Sequence, residues 1–144
     1  MPESILPLFL KAGWFDGRDT GFKTAQQNIF AANIFKEFGG LQVGESGAGQ
    51  DCAKSDVCFF NDFNETIDEA DDYKHYEKQL SQLSLIADAQ HNHMQVLLAE
   101  DGRFYVFTIP DGKLYFAGEN FGEAMEQLLL GIQLLIYSTR QADI

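Results

Sequence analysis

The chain has 144 residues, and 45% of them are hydrophobic, including 13 phenylalanines. This length and composition predict one domain, residues 1–144, with a substantial core rather than a disordered segment. The formal net charge of −12 argues against nucleic acid and anionic membranes as direct partners, because both would repel the chain. The same charge suits a basic protein partner, or it serves solubility alone.

Cysteine usage and the N-terminus indicate a cytoplasmic protein. Two cysteines, Cys52 and Cys58, are too few for a disulfide framework. The first residues, Met1 to Ser4, lack the basic region of a signal peptide, and no apolar run approaches the roughly 18 residues of a membrane span. The sequence does not predict an oligomeric state.

The first part of the chain predicts two helices and two short strands. A helix from Ile5 to about Ala12 would end at Gly13 in a left-handed cap. A second helix, from Thr24 to Phe38, would end at Gly39-Gly40. It would bury Phe30, Ile34, Phe35 and Phe38. Strands are expected at residues 41–43 and 57–60, on either side of a glycine-rich loop over residues 44–50.

The middle of the chain is polar and acidic from Asn61 to Asp72 and then predicts a third helix. That helix would carry four apolar residues on one side, Tyr73, Tyr76, Leu80 and Leu83. A strand from Ser84 to Ala89 is expected next.

The last third predicts a meander that runs into a long helix. Strands containing Met94 to Leu98, Phe104 to Ile109 and Leu114 to Phe116 are separated by Asp-Gly pairs, a strong hairpin signal. Asn120 can cap the following helix, with Glu123 reaching back as in a capping box. Its expected apolar face is Phe121, Ala124, Met125, Leu128, Leu129, Ile132, Leu135 and Ile136. The fold class is therefore α+β, a single domain with a mostly antiparallel sheet, helices packed against it and a long C-terminal helix.

Motifs for catalysis or cofactor binding are incomplete. Residues 44–51 have the glycine spacing of a phosphate-binding loop, but Gln50 and Asp51 stand where that loop needs Lys and a hydroxyl. Asp62 begins a calcium-like pattern whose sixth and twelfth positions are Ile67 and Tyr73 rather than Gly and Glu. We therefore expect no enzyme activity, no metal and no cofactor.

The distribution of acids is the remaining signal. Residues 51–72 hold eight acids and one lysine, a charge of −7 in 22 residues, interleaved with phenylalanines. One interpretation is a solvated loop whose aromatics turn into the core. The other is a protein-binding surface that uses charge for steering and aromatics as anchors. On the second, the candidate partner-binding residues are Asp56, Asp62, Glu65, Asp68, Glu69, Asp71 and Asp72.

Four motifs in this order resemble a known family. They are Ala12-Gly13-Trp14-x-x-Gly17-Arg18, Phe38-Gly39-Gly40-Leu41, Asp101-Gly102-Arg103-Phe104-Tyr105, and Gly118 through Glu123-Ala124 to Leu128-Leu129-x-Gly131. Together they are similar to the SUKH superfamily of bacterial immunity proteins, its third subgroup in particular. One departure is Ser84 to Asp88, where the pattern has a Pro and a Gly.

The resemblance implies an α+β fold and a non-enzymatic role in polymorphic-toxin systems, in which such proteins bind and neutralise a cognate toxin domain, often a nuclease, in the producing cell. A nuclease must carry basic groups to meet phosphate, so an acidic inhibitor suits it. Two alternatives stay open. One is an intracellular scaffold or regulatory module of the same fold, and the other is a small hydrolase or ligand-binding domain with a deep polar pocket.

Overall fold

A computed structural model describes residues 1–23, 28–62, 73, 76–90, 93–109, 112–132 and 135–136 of the chain. Four helices lie within these residues: α1 Leu6–Ala12, α2 Ile29–Phe38, α3 Glu77–Leu80 and α4 Phe121–Leu130. None of the helices in these ranges has the length and apolar character needed to cross a membrane.

The described strands form one antiparallel sheet and one small hairpin. They are β1 Gln42–Val43, β2 Gly47–Ala48, β3 Ala53–Lys54, β4 Val57–Phe59, β5 Leu83–Ala89, β6 Met94–Ala99, β7 Phe104–Thr108, β8 Leu114–Gly118 and β9 Leu135–Ile136. The main sheet has the order β1-β4-β5-β6-β7-β8-β9, and every neighbouring pair is antiparallel. Strands β2 and β3 pair with each other. The predicted α+β class with an antiparallel sheet is confirmed.

The sheet carries a hydrophobic cluster on each face. The larger cluster joins one face to α1, α2 and α4, with Phe9, Phe35 and Met125 fully buried. We call this the helix face. The opposite, outer face carries a smaller cluster in which Tyr73 and Tyr76 cover sheet residues such as Phe107. This burial pattern follows from the period-2 alternation of strand side chains.

The helix ends confirm two predicted caps. Gly13 has φ +107° and closes α1 in the left-handed conformation. At the start of α4 the Asn120 side chain accepts a hydrogen bond from Glu123 N at 3.0 Å. Glu123 Oε1 in turn accepts from Glu119 N at 3.1 Å, so the reciprocal capping is present in a variant form.

The predicted long C-terminal helix is wrong in its length. Helix α4 ends at Leu130, because Gly131 has φ +72° and turns the chain out of the helix. Leu135–Ile136, expected on the helical face, instead form β9 and pair with Tyr115 and Phe116 of β8. The apolar residues recur at a spacing that fits a helix, but tertiary pairing with the edge of the sheet decides their conformation.

Three other expectations differ in detail. Helix α2 begins at Ile29 after the N-cap Asn28, and residues 24–27 of the predicted helix lie outside the described residues. Helix α3 is one turn long, and Leu83 starts β5 instead of lying on that helix. The glycine-rich loop contains β2, which forms a hairpin with β3 just after the loop.

Phe30, predicted to be buried by α2, is 45% exposed. The buried stripe of α2 is Ala31, Ile34, Phe35 and Phe38. Phe30 precedes this stripe by about 100° of helix rotation, so it lies beside the core rather than in it. Its ring covers Gly102 in the β6–β7 turn.

Candidate protein-binding surface

The structure separates the two predicted binding residues that it describes. Asp56 directly precedes β4, whereas Asp62 lies beyond the opposite end of that strand. The other five candidates, Glu65, Asp68, Glu69, Asp71 and Asp72, lie outside the described residues. Asp56 and Asp62 are therefore not parts of one compact cluster, although both are half-buried.

Asp56 takes part in the structure around the sheet edge. Its carboxylate accepts a hydrogen bond from Ser46 Oγ at 3.0 Å and one from Cys58 Sγ at 3.8 Å. Its backbone carbonyl accepts from Gln90 N at 3.2 Å. These contacts tie the glycine-rich loop, β4 and the end of β5 together, so Asp56 has a structural role whatever it binds.

Cys58 lies on the outer face between two carboxylates. It is the direct cross-strand partner of Asp88 and follows Asp56 by two residues. Burial raises the pKa of the Cys58 thiol, and the charge and hydrogen bond of Asp56 and the charge of Asp88 raise it further. The thiol is therefore disfavoured as a nucleophile, because the thiolate is the reactive form.

The aromatic residues beside the acidic segment are only partly available as anchors. Phe59 is 4% exposed and packs on Phe38 with ring centroids 5.5 Å apart. Phe60 is half-buried and contacts both clusters. Where the segment rejoins the described chain, Tyr73 and Tyr76 pack edge-on against Phe107, and Tyr76 Oη donates to Gly112 O at 3.1 Å. These aromatics turn into the core.

One end of the sheet gathers further acids. The antiparallel register places the β6–β7 turn, residues 100–103, beside the exit of β8 at Glu119. Arg103 Nε donates to Glu119 Oε2 at 3.0 Å, and Arg103 Nη1 lies 3.7 Å from Asp101 Oδ2. The hydrogen bond to Glu119, with the charges of Glu119 and Asp101, raises the pKa of Arg103. With Glu100 in the β6–β7 turn and Glu123 in the first turn of α4, this part of the molecule holds four acids and one base; we call it the acidic end of the sheet.

The glycine-rich loop packs on the C-terminal end of α4. The amides of Gln50, Asp51 and Cys52 donate to the carbonyls of Leu130 and Gly131 at 2.7, 2.8 and 2.8 Å. These are the amides that a phosphate-binding loop would direct at an anion. Here they satisfy the carbonyls that a helix leaves unpaired at its C-terminus. The geometry agrees with the absence of the lysine and excludes these three amides from cradling a phosphate.

The described part of the chain includes open cavities, two of which bear on small-molecule binding. One, about 220 Å³, is lined by residues that include Leu8, Lys11 and Lys54. The other, about 270 Å³, lies beside Phe30. Both are smaller than the roughly 300–1,000 Å³ of small-molecule sites. Among the described residues, the groups whose pKa is displaced, Cys58, Tyr76 and Arg103, line neither of these two cavities.

A sequence model of the SUKH-3 immunity protein family matches residues 1–131. The chain belongs to the SUKH-3 immunity protein family. The match covers all elements from α1 to the end of α4, and β9 lies beyond it. No curated protein and no solved structure is significantly similar to this SUKH-3 protein.

The first two SUKH motifs make the fold rather than a site. Arg18 donates from Nη1 to Glu37 O at 2.6 Å and from Nη2 to Gly39 O at 2.9 Å. Its guanidinium thus satisfies carbonyls at the end of α2, where a cation is also favoured by the helix dipole. Trp14 Nε1 donates to Glu37 Oε2 at 2.9 Å, and Gly39 closes the helix at its C-cap.

Sequence reasoning missed one surface of this SUKH-3 protein, the exposed Phe30 on the wall of the 270 Å³ cavity. The sequence contains a signal for this exposure. Adjacent residues on a helix point about 100° apart, so Ile29 and Phe30 cannot both lie at the centre of one buried stripe. What Phe30 covers depends on the β6–β7 turn, about 70 residues further along the chain.

Proposed function

We propose that this SUKH-3 protein is a non-enzymatic inhibitor that binds a cognate toxin domain in the cytoplasm of the bacterium producing it. The target we propose is a nuclease of a polymorphic-toxin system, whose basic active surface would be covered in the complex. Membership of an immunity protein family supports the inhibitory role. The observation that supports a basic target is the formal net charge of −12, of which −7 lies in residues 51–72.

The negative charge of such an inhibitor would speed its association with a basic toxin. A nuclease surface is positively charged because it meets the phosphate backbone. A strongly acidic inhibitor is steered to that surface, and steering can raise association rates by about 10- to 1,000-fold. Asp62, Glu65, Asp68, Glu69, Asp71 and Asp72 are the proposed steering residues. Asp56 is retained as a weaker candidate because its carboxylate already bonds Ser46 and Cys58.

Co-expression tests the proposal. The toxin domain encoded next to the gene would be produced in bacteria with and without this protein, and a catalytically inactive toxin would be used for pull-down. We expect restored growth and a stoichiometric complex. A SUKH-3 protein from a different toxin locus serves as the control and should neither rescue nor bind. Continued toxicity together with no complex would refute the proposed function.

A further inference from the structure

The 270 Å³ cavity is a groove on the helix face, at the acidic end of the sheet. Its walls come from α2, from the β6–β7 turn and from the start of α4. The floor is apolar and reaches the main core at Ile34, Leu98, Phe104 and Phe121. Phe121 is held there by stacking on Phe38, with ring centroids 4.4 Å apart and planes 15° apart. The groove is therefore a preformed apolar depression rather than a gap between mobile side chains.

One exposed apolar side chain lines this groove. Phe30 is 45% exposed and forms part of the wall. Among the described residues, the other large exposed hydrophobics are Met1, Leu10, Phe15 and Ile29, and none of these lines the groove. Scattered exposed apolar residues are ordinary, but an exposed aromatic ring on the wall of an apolar depression is typical of the centre of a protein interface.

The rim of the groove is charged. Asp101 and Glu119 line it, and their side chains are 58% and 57% exposed. Arg103 lies between them and bonds both, which leaves the three residues with a net charge of −1. Glu100 in the β6–β7 turn and Glu123 in the first turn of α4 add two more negative charges nearby. An apolar centre with an acidic rim is complementary to an apolar side chain that is flanked by Lys or Arg.

The negative charge of the rim favours some occupants of the groove over others. Two copies of the same chain, each with a charge of −12, would bring two acidic rims together at a symmetric contact, and like charges facing one another cost several kcal/mol. An anionic membrane would be repelled for the same reason. The volume of about 270 Å³ suits one inserted side chain better than a drug-sized ligand.

We infer that the groove beside Phe30 is a docking site for the toxin domain, which inserts one apolar side chain flanked by basic residues. The inference rests on the proposed function and adds to it a specific contact. Steering by the acidic segment sets how fast the partners meet. The groove supplies the desolvated anchor that sets how long they stay together, because truncations of buried anchors act mainly on the dissociation rate.

Two variants of opposite design test the docking site. Phe30→Ala removes one wall of the groove. Asn33→Trp adds bulk at an exposed α2 position on the groove lining and removes no apolar contact. Phe15→Ala is the matched control, since Phe15 is 57% exposed but lies outside the groove. Circular dichroism and urea unfolding would verify that each variant is folded.

The measurement is the binding of each variant to the catalytically inactive toxin domain encoded next to the gene, with the affinity from calorimetric titration and the dissociation rate from surface plasmon resonance. We expect Phe30→Ala and Asn33→Trp each to weaken binding by about tenfold or more, mostly through faster dissociation. Phe15→Ala should change the affinity by less than about twofold.

The outcomes separate the docking site from the proposed function. Wild-type affinity in both groove variants, with a wild-type protein that binds the toxin, overturns the docking site and leaves the proposed function standing. A wild-type protein that does not bind the toxin overturns both. Sedimentation of a concentrated sample adds a third outcome: a dimer that Asn33→Trp dissociates, with toxin affinity unchanged, would assign the groove to a second copy of the chain.

Discussion

At the residue scale, the side chains of the first SUKH motif and the predicted binding residue Asp56 have different roles. Arg18 and Trp14 hold the end of α2 through the backbone carbonyls of Glu37 and Gly39 and the carboxylate of Glu37. The spacing of Trp14 and Arg18 in the motif therefore fits their contacts with the end of α2. Asp56 combines charge with structure, since its carboxylate binds Ser46 and the Cys58 thiol.

The environment of Cys58 leads to a prediction on thiol reactivity. Replacing Asp56 by Asn removes one negative charge and one acceptor that favour the neutral thiol. The pKa of Cys58 should therefore fall, although burial, the largest cause of its elevation, remains. We expect alkylation of Cys58 by iodoacetamide at pH 8 to become about twofold faster or more, as measured by peptide mass spectrometry.

Asp16→Asn is the control for this experiment, because Asp16 is exposed in the turn after α1. It should leave the alkylation rate of Cys58 unchanged. A rate that Asp56→Asn does not raise would mean that the carboxylate contributes nothing to the thiol's resistance. Cys52, which is exposed, provides an internal reference in every sample.

At the scale of elements, the end of α4 depends on the glycine-rich loop. Gly131 approaches the backbone of Gly49 so closely that a Cβ on Gly131 would lie 2.7 Å from Gly49 Cα and would also overlap the carbonyl of Cys52. The amides of Gln50, Asp51 and Cys52 then cap the last carbonyls of the helix. Two segments about 80 residues apart thus require glycine for the same contact.

The Gly49–Gly131 contact predicts a large effect of a small substitution. Gly131→Ala should lower the free energy of unfolding by about 2–4 kcal/mol, combining a left-handed φ with overlap against backbone atoms that cannot rotate away. Gly17→Ala is the matched control, because Gly17 also has a positive φ, +86°, but a Cβ there would meet nothing within 4 Å. It should cost about 1 kcal/mol.

Urea unfolding followed by circular dichroism measures both variants. Equal losses for Gly131→Ala and Gly17→Ala would show that backbone conformation alone matters, and that the close approach to Gly49 does not. A larger loss for Gly131→Ala than for Gly17→Ala, with an unchanged m-value, would indicate a change in stability without a change in the surface exposed on unfolding.

At the scale of the whole molecule, negative charge extends well beyond the groove beside Phe30. Asp62 is the last residue that the structure describes before the rest of the acidic stretch at residues 63–72. It lies near the end of the sheet where Glu100, Asp101 and Glu119 also lie. Asp56 and Asp88 lie toward the other side of β4, around Cys58. The negative field is therefore broad, and the groove beside Phe30 is a specific point on its border.

Neutralising four acids tests the steering role. The variant with Asp62→Asn, Glu65→Gln, Asp68→Asn and Glu69→Gln should associate with the toxin about tenfold more slowly at low ionic strength, with a flatter dependence on salt. Stopped-flow association over a series of salt concentrations measures both quantities. The dissociation rate should change much less, since steering acts before contact.

A control with the same change in total charge distinguishes a local surface from net charge. Glu3→Gln, Asp16→Asn, Asp19→Asn and Glu45→Gln remove four charges at exposed positions outside residues 61–72. Equal slowing in both quadruple variants would reject the segment as the steering surface and leave only the net charge. Unchanged association in the first variant would reject steering altogether.

The sequence by itself determined what depends on neighbours within a few residues. Alternation and Asp-Gly pairs located the meander, Asn120 with Glu123 located the start of α4, and the order of elements predicted the α+β class. These signals are reliable because a turn, a cap or an alternating strand is specified by residues that are close along the chain.

Tertiary structure alone decided where distant segments meet. The periodicity after Phe121 could not show that Gly131 lies against Gly49, so it extended the helix through residues that pair with β8 as β9. Likewise the spacing in α2 could not show that Phe30 covers Gly102 and borders a groove. The acidic count in residues 51–72 could not show that β4 separates Asp56 from Asp62. In each case a contact between residues far apart in the sequence outweighs the local pattern, because packing energies are as large as the propensities they override.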